Sequence, residues 1–142
     1  ISAQLNQYLS DLHVLYAKLH NFHWNVEGPS FYTLHEQIEE LYNATAEEVD
    51  DVAERVLKVG RRPLARLADY VKTANLQETE SRKYTGTEIA DALIADYKTL
   101  IGELRETISV AQEHGDEGTA DEAVAMLKDK EKQLWMLTAY RG

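Results

Sequence analysis

Apolar side chains recur at intervals of three and four through most of the chain, the spacing that gathers them on one side of an α-helix. Leu5, Tyr8, Leu9, Leu12, Leu15, Tyr16, Leu19, Phe22 and Val26 trace the first stripe and predict a helix over Ser2–Val26. Glu27-Gly28-Pro29-Ser30 interrupts it. Gly28 suits a left-handed position at a helix end, Pro29 cannot continue the ladder, and Ser30 is placed to cap the next helix. A second stripe, Phe31, Leu34, Ile38, Leu41, Val49, Val52, Val56 and Val59, predicts a long helix reaching Gly60. From Arg61 to Gly86 the chain offers Pro63, a short apolar pattern at Leu64, Leu67, Tyr70 and Val71, and a polar run from Gln77 to Thr85. That segment reads as a crossover carrying one small helix. Thr87 is the candidate N-cap of a third long helix, with the stripe Ile89, Leu93, Tyr97, Leu100, Leu104 and Ile108, which stops at His114-Gly115. A last helix runs from Thr119 through Val124, Leu127, Leu134 and Trp135 to Tyr140. Hairpin, crossover, hairpin is the order of an all-α four-helix bundle with one long connection and a short extra helix inside it.

Composition narrows this further. The 142 residues, 44% hydrophobic and 28% charged, suffice for a single domain over 1–142 with its own core and leave no room for a second. Two prolines and seven glycines are too few to punctuate a β-protein, so strands have little support. No apolar run is long enough to span a bilayer and no basic-then-apolar leader opens the chain, so a cytoplasmic protein is expected, with nucleoid association as the variant. The absence of cysteine leaves His, Asp and Glu as the only strong metal ligands. A formal net charge of −10 argues against a generic binder of phosphate backbones and favours cations as partners.

The acidic residues are unevenly placed. Between Lys18 and Arg55 there is no lysine or arginine, yet the second helix carries Glu36, Glu39, Glu40, Glu47, Glu48, Asp50, Asp51 and Glu54. Like charges at this density repel unless a cation, a basic partner or bulk salt offsets them. The plain alternative is a solvated acidic face. His23 near the end of the first helix and His35 near the start of the second are brought to one end of the molecule by the Gly-Pro hairpin, and neutral imidazoles suit divalent transition metals. Asp50 and Glu54, four apart, share a helix face. His35 and Asp50 are fifteen residues apart on the same helix, a separation of roughly 22 Å at 1.5 Å per residue. No one ion spans that gap. If the four act together, the histidines come from one chain and the carboxylates from another, across antiparallel long helices about a two-fold axis. A di-iron centre inside one bundle would ordinarily use two Glu-x-x-His motifs, and none of His13, His20, His23, His35 and His114 follows a glutamate at that spacing.

The string Lys18-Leu19-His20-Asn21-Phe22-His23-Trp24-Asn25-Val26-Glu27-Gly28, with Phe31, Leu34-His35-Glu36 and Asp50-Asp51-Val52-Ala53-Glu54-Arg55, resembles the signature of the Dps family of mini-ferritins. The similarity extends to Leu134-Trp135-Met136-Leu137. It implies a ferritin-like four-helix bundle and a homo-oligomer, a dodecameric shell. It also implies a ferroxidase centre built from His23 and His35 of one subunit and Asp50 and Glu54 of its two-fold neighbour. There iron(II) would be oxidised, by hydrogen peroxide in preference to dioxygen, and the ferric product stored as mineral inside the shell. Two-electron use of peroxide avoids hydroxyl radicals and so protects DNA. Glu39, one turn after His35, falls where relatives carry an auxiliary aspartate. The resemblance places Trp24 beside the iron site as a radical trap, against the alternative of interface packing. Asp121 and Glu117 would line a three-fold pore drawing in iron, although acidic residues at a helix start also stabilise the helix. His13 and His20 read as packed histidines, His114 as a helix-end residue, and Trp135 as core. The family's DNA-binding tail is Lys/Arg-rich, and Ile1-Ser2-Ala3-Gln4 holds no base, which argues against direct DNA binding. The competing reading is an acidic helical assembly module that keeps the shell without redox chemistry.

Overall fold

The computed structural model describes residues 1–142. In chain order the elements are α1 (Ser2–Asn25), β1 (Val26–Glu27), α2 (Phe31–Lys58), α3 (Leu67–Thr73), β2 (Tyr84–Thr85), α4 (Gly86–Glu113) and α5 (Glu117–Arg141). α1 packs along α2 and α4 along α5; α1 also meets α4 and carries α3 on its side. This is the expected bundle of two hairpins joined by a crossover.

The apolar stripes explain the packing. Leu9, Leu12, Leu15, Leu19 and Phe22 of α1, Ile38, Val52 and Val56 of α2, and Ile89, Leu93, Tyr97, Leu100 and Leu104 of α4 close on one another as the centre of the core. Each fully buried leucine contributes about 1.5–3 kcal/mol relative to exposure. α5 contributes least, burying Ala120, Ala123 and Leu137 among its apolar residues. Its Trp135 is 67% exposed, which corrects its expected place in the core. Leu134 packs on the core and Leu137 is buried, so a residue one step beyond Leu134 is turned by about 100° toward solvent. Tyr32 and Tyr140 are likewise exposed, whereas Tyr8, Tyr70, Tyr84 and Tyr97 are buried.

Several boundaries differ from the sequence expectation. α1 stops at Asn25 because Val26-Glu27 turns into a two-residue strand, paired parallel with Tyr84-Thr85 in the register Val26↔Tyr84 and Glu27↔Thr85. This pair departs from the expectation that strands have little support, its ladder being only two residues long. Gly28 (φ +110°) and Gly60 (φ +84°) take the backbone past the ends of α1 and α2 where an L side chain would be strained. Ser30 holds the N-cap position of α2 without a side-chain hydrogen bond. α4 is capped by Thr85, not Thr87: the Thr85 hydroxyl accepts from Glu88 N and the Glu88 carboxylate from Thr85 N, a complete capping box. α5 begins two residues before Thr119, because Asp116 accepts from Thr119 N and caps it first. No helix is long and apolar enough to cross a membrane.

Buried polar groups fasten the crossover. Asp11, fully buried on α1, accepts from the backbone N–H groups of Asn75 and Leu76 at 2.7 and 2.8 Å. Two otherwise orphaned donors of an irregular segment are satisfied in this way. Lys18 of α1 meets Asp96 of α4 at 2.6 Å.

Candidate metal centre

His23 lies in the last turn of α1 and His35 in the second turn of α2, and the tight connection at Gly28 folds them together. Their rings stack at 3.7 Å with 13° between planes. Each ring is tied to the other residue's backbone: His23 Nδ1 to the His35 carbonyl at 2.7 Å, His35 Nδ1 to the His23 carbonyl at 2.8 Å. A carbonyl can only accept, so each Nδ1 carries the hydrogen. In the neutral ring Nε2 is then left with its lone pair, the tautomer a metal ligand needs, and the carbonyls fix ring orientation as well. The His23 carbonyl is one of the last in α1, where no helical N–H follows to use it. His23 is only 6% exposed and Phe31 stacks on the outer face of His35 at 5.1 Å, so neither ring is free to turn.

Glu39, one turn beyond His35 and exposed, places Oε1 3.8 Å from His23 Nε2. Tyr42 meets the His23 ring edge-on at 5.3 Å and stacks on His20 at 4.0 Å. Burial, with the Glu39 carboxylate beside it, holds the Tyr42 phenol above its ordinary range. Trp24 is 69% exposed and contacts the His20 ring at 5.2 Å rather than His23. His20 also bonds to the Tyr16 carbonyl, and His13 stacks on Tyr70 at 3.7 Å. Tyr42, absent from the sequence reading, and Tyr16, which figures there only in the apolar stripe of α1, line the same end; their spacing from Glu39 and His20 along the two helices is the signal the sequence offers.

Asp50 and Glu54 lie one turn apart on an exposed face of α2. α2 is unbroken over its 28 residues, so the separation of roughly 22 Å from His35 stands. The structure thus brings His23, His35 and Glu39 to one end and leaves Asp50 and Glu54 toward the other. Within one chain no three His, Asp or Glu side chains are arranged to hold a metal.

The bundle interior is filled differently. Glu48 of α2 accepts from Lys130 Nζ of α5 at 2.7 Å and from the Tyr8 hydroxyl of α1 at 2.5 Å. The Tyr8 phenol is held well above its ordinary range by burial and then by Glu48. The Glu48 carboxylate is thus neutralised inside the bundle by the Lys130 ammonium group. Beside it, α2 and α5 frame a groove of about 770 Å³ lined by Glu40, Glu47, Asp51, Glu122 and Asp129 among others.

At the start of α5, Glu117 and Asp121 are exposed. Just before them, Asp116 is clamped by Arg55 of α2, whose Nη2 lies 3.1 Å from Asp116 Oδ1 and whose Nε donates to Thr119 Oγ1 at 2.9 Å. Bonds from the Thr119 hydroxyl and backbone, and then Arg55, hold the Asp116 carboxyl below the usual aspartate range.

The chain matches the ferritin-like domain over residues 2–142. It is 40% identical over 136 residues to the DNA protection during starvation protein 2 of Bacillus anthracis, covering 96% of this chain and 92% of that protein. A crystal structure of a Dps protein from Bacillus brevis superposes with a TM-score of 0.96 at 42% identity, covering 99% of this chain and 94% of that one. A Dps protein from Vibrio cholerae O1, described as a member of a broad superfamily of ferritin-like diiron-carboxylate proteins, superposes at 0.95 with 30% identity, over 99% and 88% of the two chains. With a bundle of this topology, a histidine pair of this geometry and similarity over almost its full length, the chain belongs to the ferritin-like family and, within it, to the Dps proteins.

Proposed function

We propose that the chain, as one ferritin-like domain, is a subunit of a homo-oligomeric cage that oxidises iron(II) at sites shared between two-fold related copies and stores the ferric product. His23, His35 and Glu39 of one subunit would face Asp50 and Glu54 of the other. The observation that carries this reading is the locked histidine pair. Two Nε2 lone pairs are presented with one carboxylate nearby, while Asp50 and Glu54 stand exposed on α2, Asp50 about 22 Å from His35 along the helix and Glu54 a turn further. Antiparallel pairing of α2 with α2 of a second copy brings the halves together twice.

Imidazole nitrogen with carboxylate oxygen is a donor set that suits iron(II). Two iron(II) ions each lose one electron; hydrogen peroxide takes both, its O–O bond breaks, and the oxygens leave as water or hydroxide. Ferric iron then hydrolyses and releases protons as it mineralises. Because both electrons are delivered together, no hydroxyl radical is released, which is the proposed basis of DNA protection. Trp24, reached from His23 through Tyr42 and His20, is proposed as a sink for stray oxidising equivalents. The acidic start of α5, Glu117 and Asp121, is proposed as the lining of a three-fold pore, since clustered carboxylates raise the local cation concentration. Exposed apolar side chains on α3 and α5, Leu67, Val71, Trp135 and Met136, are consistent with a chain made for assembly into a dodecamer.

Mixed assembly tests the shared site. A chain carrying His23→Ala and His35→Ala and a chain carrying Asp50→Ala and Glu54→Ala are each assembled alone, then together, loaded anaerobically with iron(II) and given peroxide or dioxygen. Each alone should oxidise iron slowly, and the mixture should recover activity, because one of the two sites in each mixed pair regains all its ligands. Failure of mixed shells to recover, in a preparation shown to contain both chains, would sink the shared centre and favour the non-redox assembly module.

A further inference from the structure

Glu103 of α4 and Asp11 of α1 converge on the crossover just after α3, away from the histidine pair. Asp11 is fully buried and accepts from Asn75 N, from Leu76 N and, at 3.1 Å, from Gln7 Nε2. Glu103 Oε2 accepts from the Asn75 side-chain amide at 2.9 Å. Both carboxyl groups therefore grip the same residue, one through its backbone and one through its side chain. Glu103 Oε1 is buried and has no donor, and the Glu103 carboxyl lies within hydrogen-bonding reach of the Asp11 carboxyl.

Two ionised carboxylates in this arrangement would repel at close range, with one buried oxygen unsatisfied. A single proton removes both problems. It belongs on Glu103 Oε1, since three donors already serve Asp11. We propose that Glu103 is a protonated acid that donates a hydrogen bond to the Asp11 carboxylate, so that one shared proton clasps α1, α4 and the Asn75–Leu76 segment together. The clasp makes attachment of the crossover, and with it the seat of α3, sensitive to alkaline pH.

The surroundings contain nothing that would substitute for the proton. The titratable groups facing Glu103 are Asp11 and Tyr8 from α1 and Glu106 from α4 itself, all acidic, and the crossover supplies the neutral Asn75. Lys18, the buried lysine of α1, is engaged by Asp96. Burial, then the hydrogen bond to Asp11, pushes the Glu103 carboxyl from 4.5 up to about 9. The unfolded chain thus gives up this proton near 4.5 while the folded chain keeps it to about 9. Folding takes up a proton between those values, so the stability from the clasp is complete below the lower one and is lost as pH rises through the upper one.

The test uses the intact oligomer. Infrared difference spectra at neutral pH should show the carbonyl stretch of a protonated carboxylic acid in the parent, absent in Glu103→Gln, whose amide keeps a donor toward Asp11 without titrating. Melting temperature should fall with pH in the parent between neutrality and the Glu103 titration and lie flatter in Glu103→Gln. In the unsubstituted protein, amide exchange at Asn75 and Leu76, corrected for base catalysis, should lose protection over the same interval. That readout remains if the variant fails to fold. A parent without the acid band at neutral pH, or with Asn75 and Leu76 equally protected through the titration, overturns the proposal.

Discussion

Lys130 Nζ stands 2.7 Å from Glu48 Oε1 inside the bundle, with the two side chains only 5% and 11% exposed. Removing one partner leaves the other charge buried and unpaired, at a cost of about 3–5 kcal/mol. Lys130→Met is therefore expected to lower stability by that order in denaturant unfolding at fixed subunit concentration. Adding Glu48→Gln should recover much of the loss. A single variant as stable as the parent would mean that water reaches the pair.

An added Cβ at Gly118 would stand 2.7 Å from one terminal nitrogen of Arg55 and 3.1 Å from the other. Gly118→Ala must push the guanidinium off Thr119 and Asp116. Hydrogen bonds to a charged group are worth about 1.5–3 kcal/mol, more than the roughly 0.5–1 kcal/mol alanine gains over glycine within a helix. The expected result is a lower melting temperature, and a higher one would show that Arg55 relocates freely.

Asp116 predicts an acid limit at the start of α5. Its folded-state value lies below the ordinary 3.8, so its contribution is present above 3.8 and fades as pH falls through the lowered value. Asp116→Asn keeps an oxygen for Thr119 N and loses the charge facing Arg55. Its melting temperature should sit below the parent's at neutral pH and converge with it in strong acid. A constant gap across that range would contradict the assignment.

The Glu39 carboxylate lies 3.8 Å from His23 Nε2 on the same chain, and we expect it to serve the proposed site as an auxiliary ligand to the second of the two iron(II) ions. Glu39→Ala should leave the first equivalent of anaerobically titrated iron(II) bound while weakening the second, by about 10–100-fold if its role is like that of a ligand-orienting group. Unchanged affinity for both equivalents would leave Glu39 as surface charge.

Much of this was legible in the residues because it is local. The Gly28-Pro29 interruption lies between two clear stripes, so the meeting of His23 with His35 followed from hairpin geometry, and the distance between His35 and Asp50 followed from helix rise. What escaped depends on how elements face one another. The reciprocal imidazole–carbonyl bonds need the relative rotation of α1 and α2, which periodicity does not carry. Glu48 reads as one more member of an acidic run and Lys130 as one of the alternating charges from Lys128 to Lys132, yet each turns inward. Thr85-x-x-Glu88 has the capping-box spacing, yet Thr85 closes a polar run from Gln77 that reads as loop, and Thr87 is then the expected cap. Trp135 follows Leu134 on the apolar path of the last helix and so reads as core, but helix phase turns it to solvent.

The pairing of Val26-Glu27 with Tyr84-Thr85 ties the turn of the first hairpin to the entrance of the second. α1 with α4, Arg55 with Asp116 and Lys130 with Glu48 join the two hairpins, but each hairpin can form on its own between neighbours in sequence, since α1 finds α2 and α4 finds α5 across short turns. The two-residue ladder instead requires the whole crossover to be closed into a loop, whose entropy is recovered only when both hairpins are in place. Substitutions at Val26 or Tyr84 are accordingly expected to speed unfolding while leaving the refolding rate of the subunit nearly unchanged, the kinetic mark of a latch that shuts last.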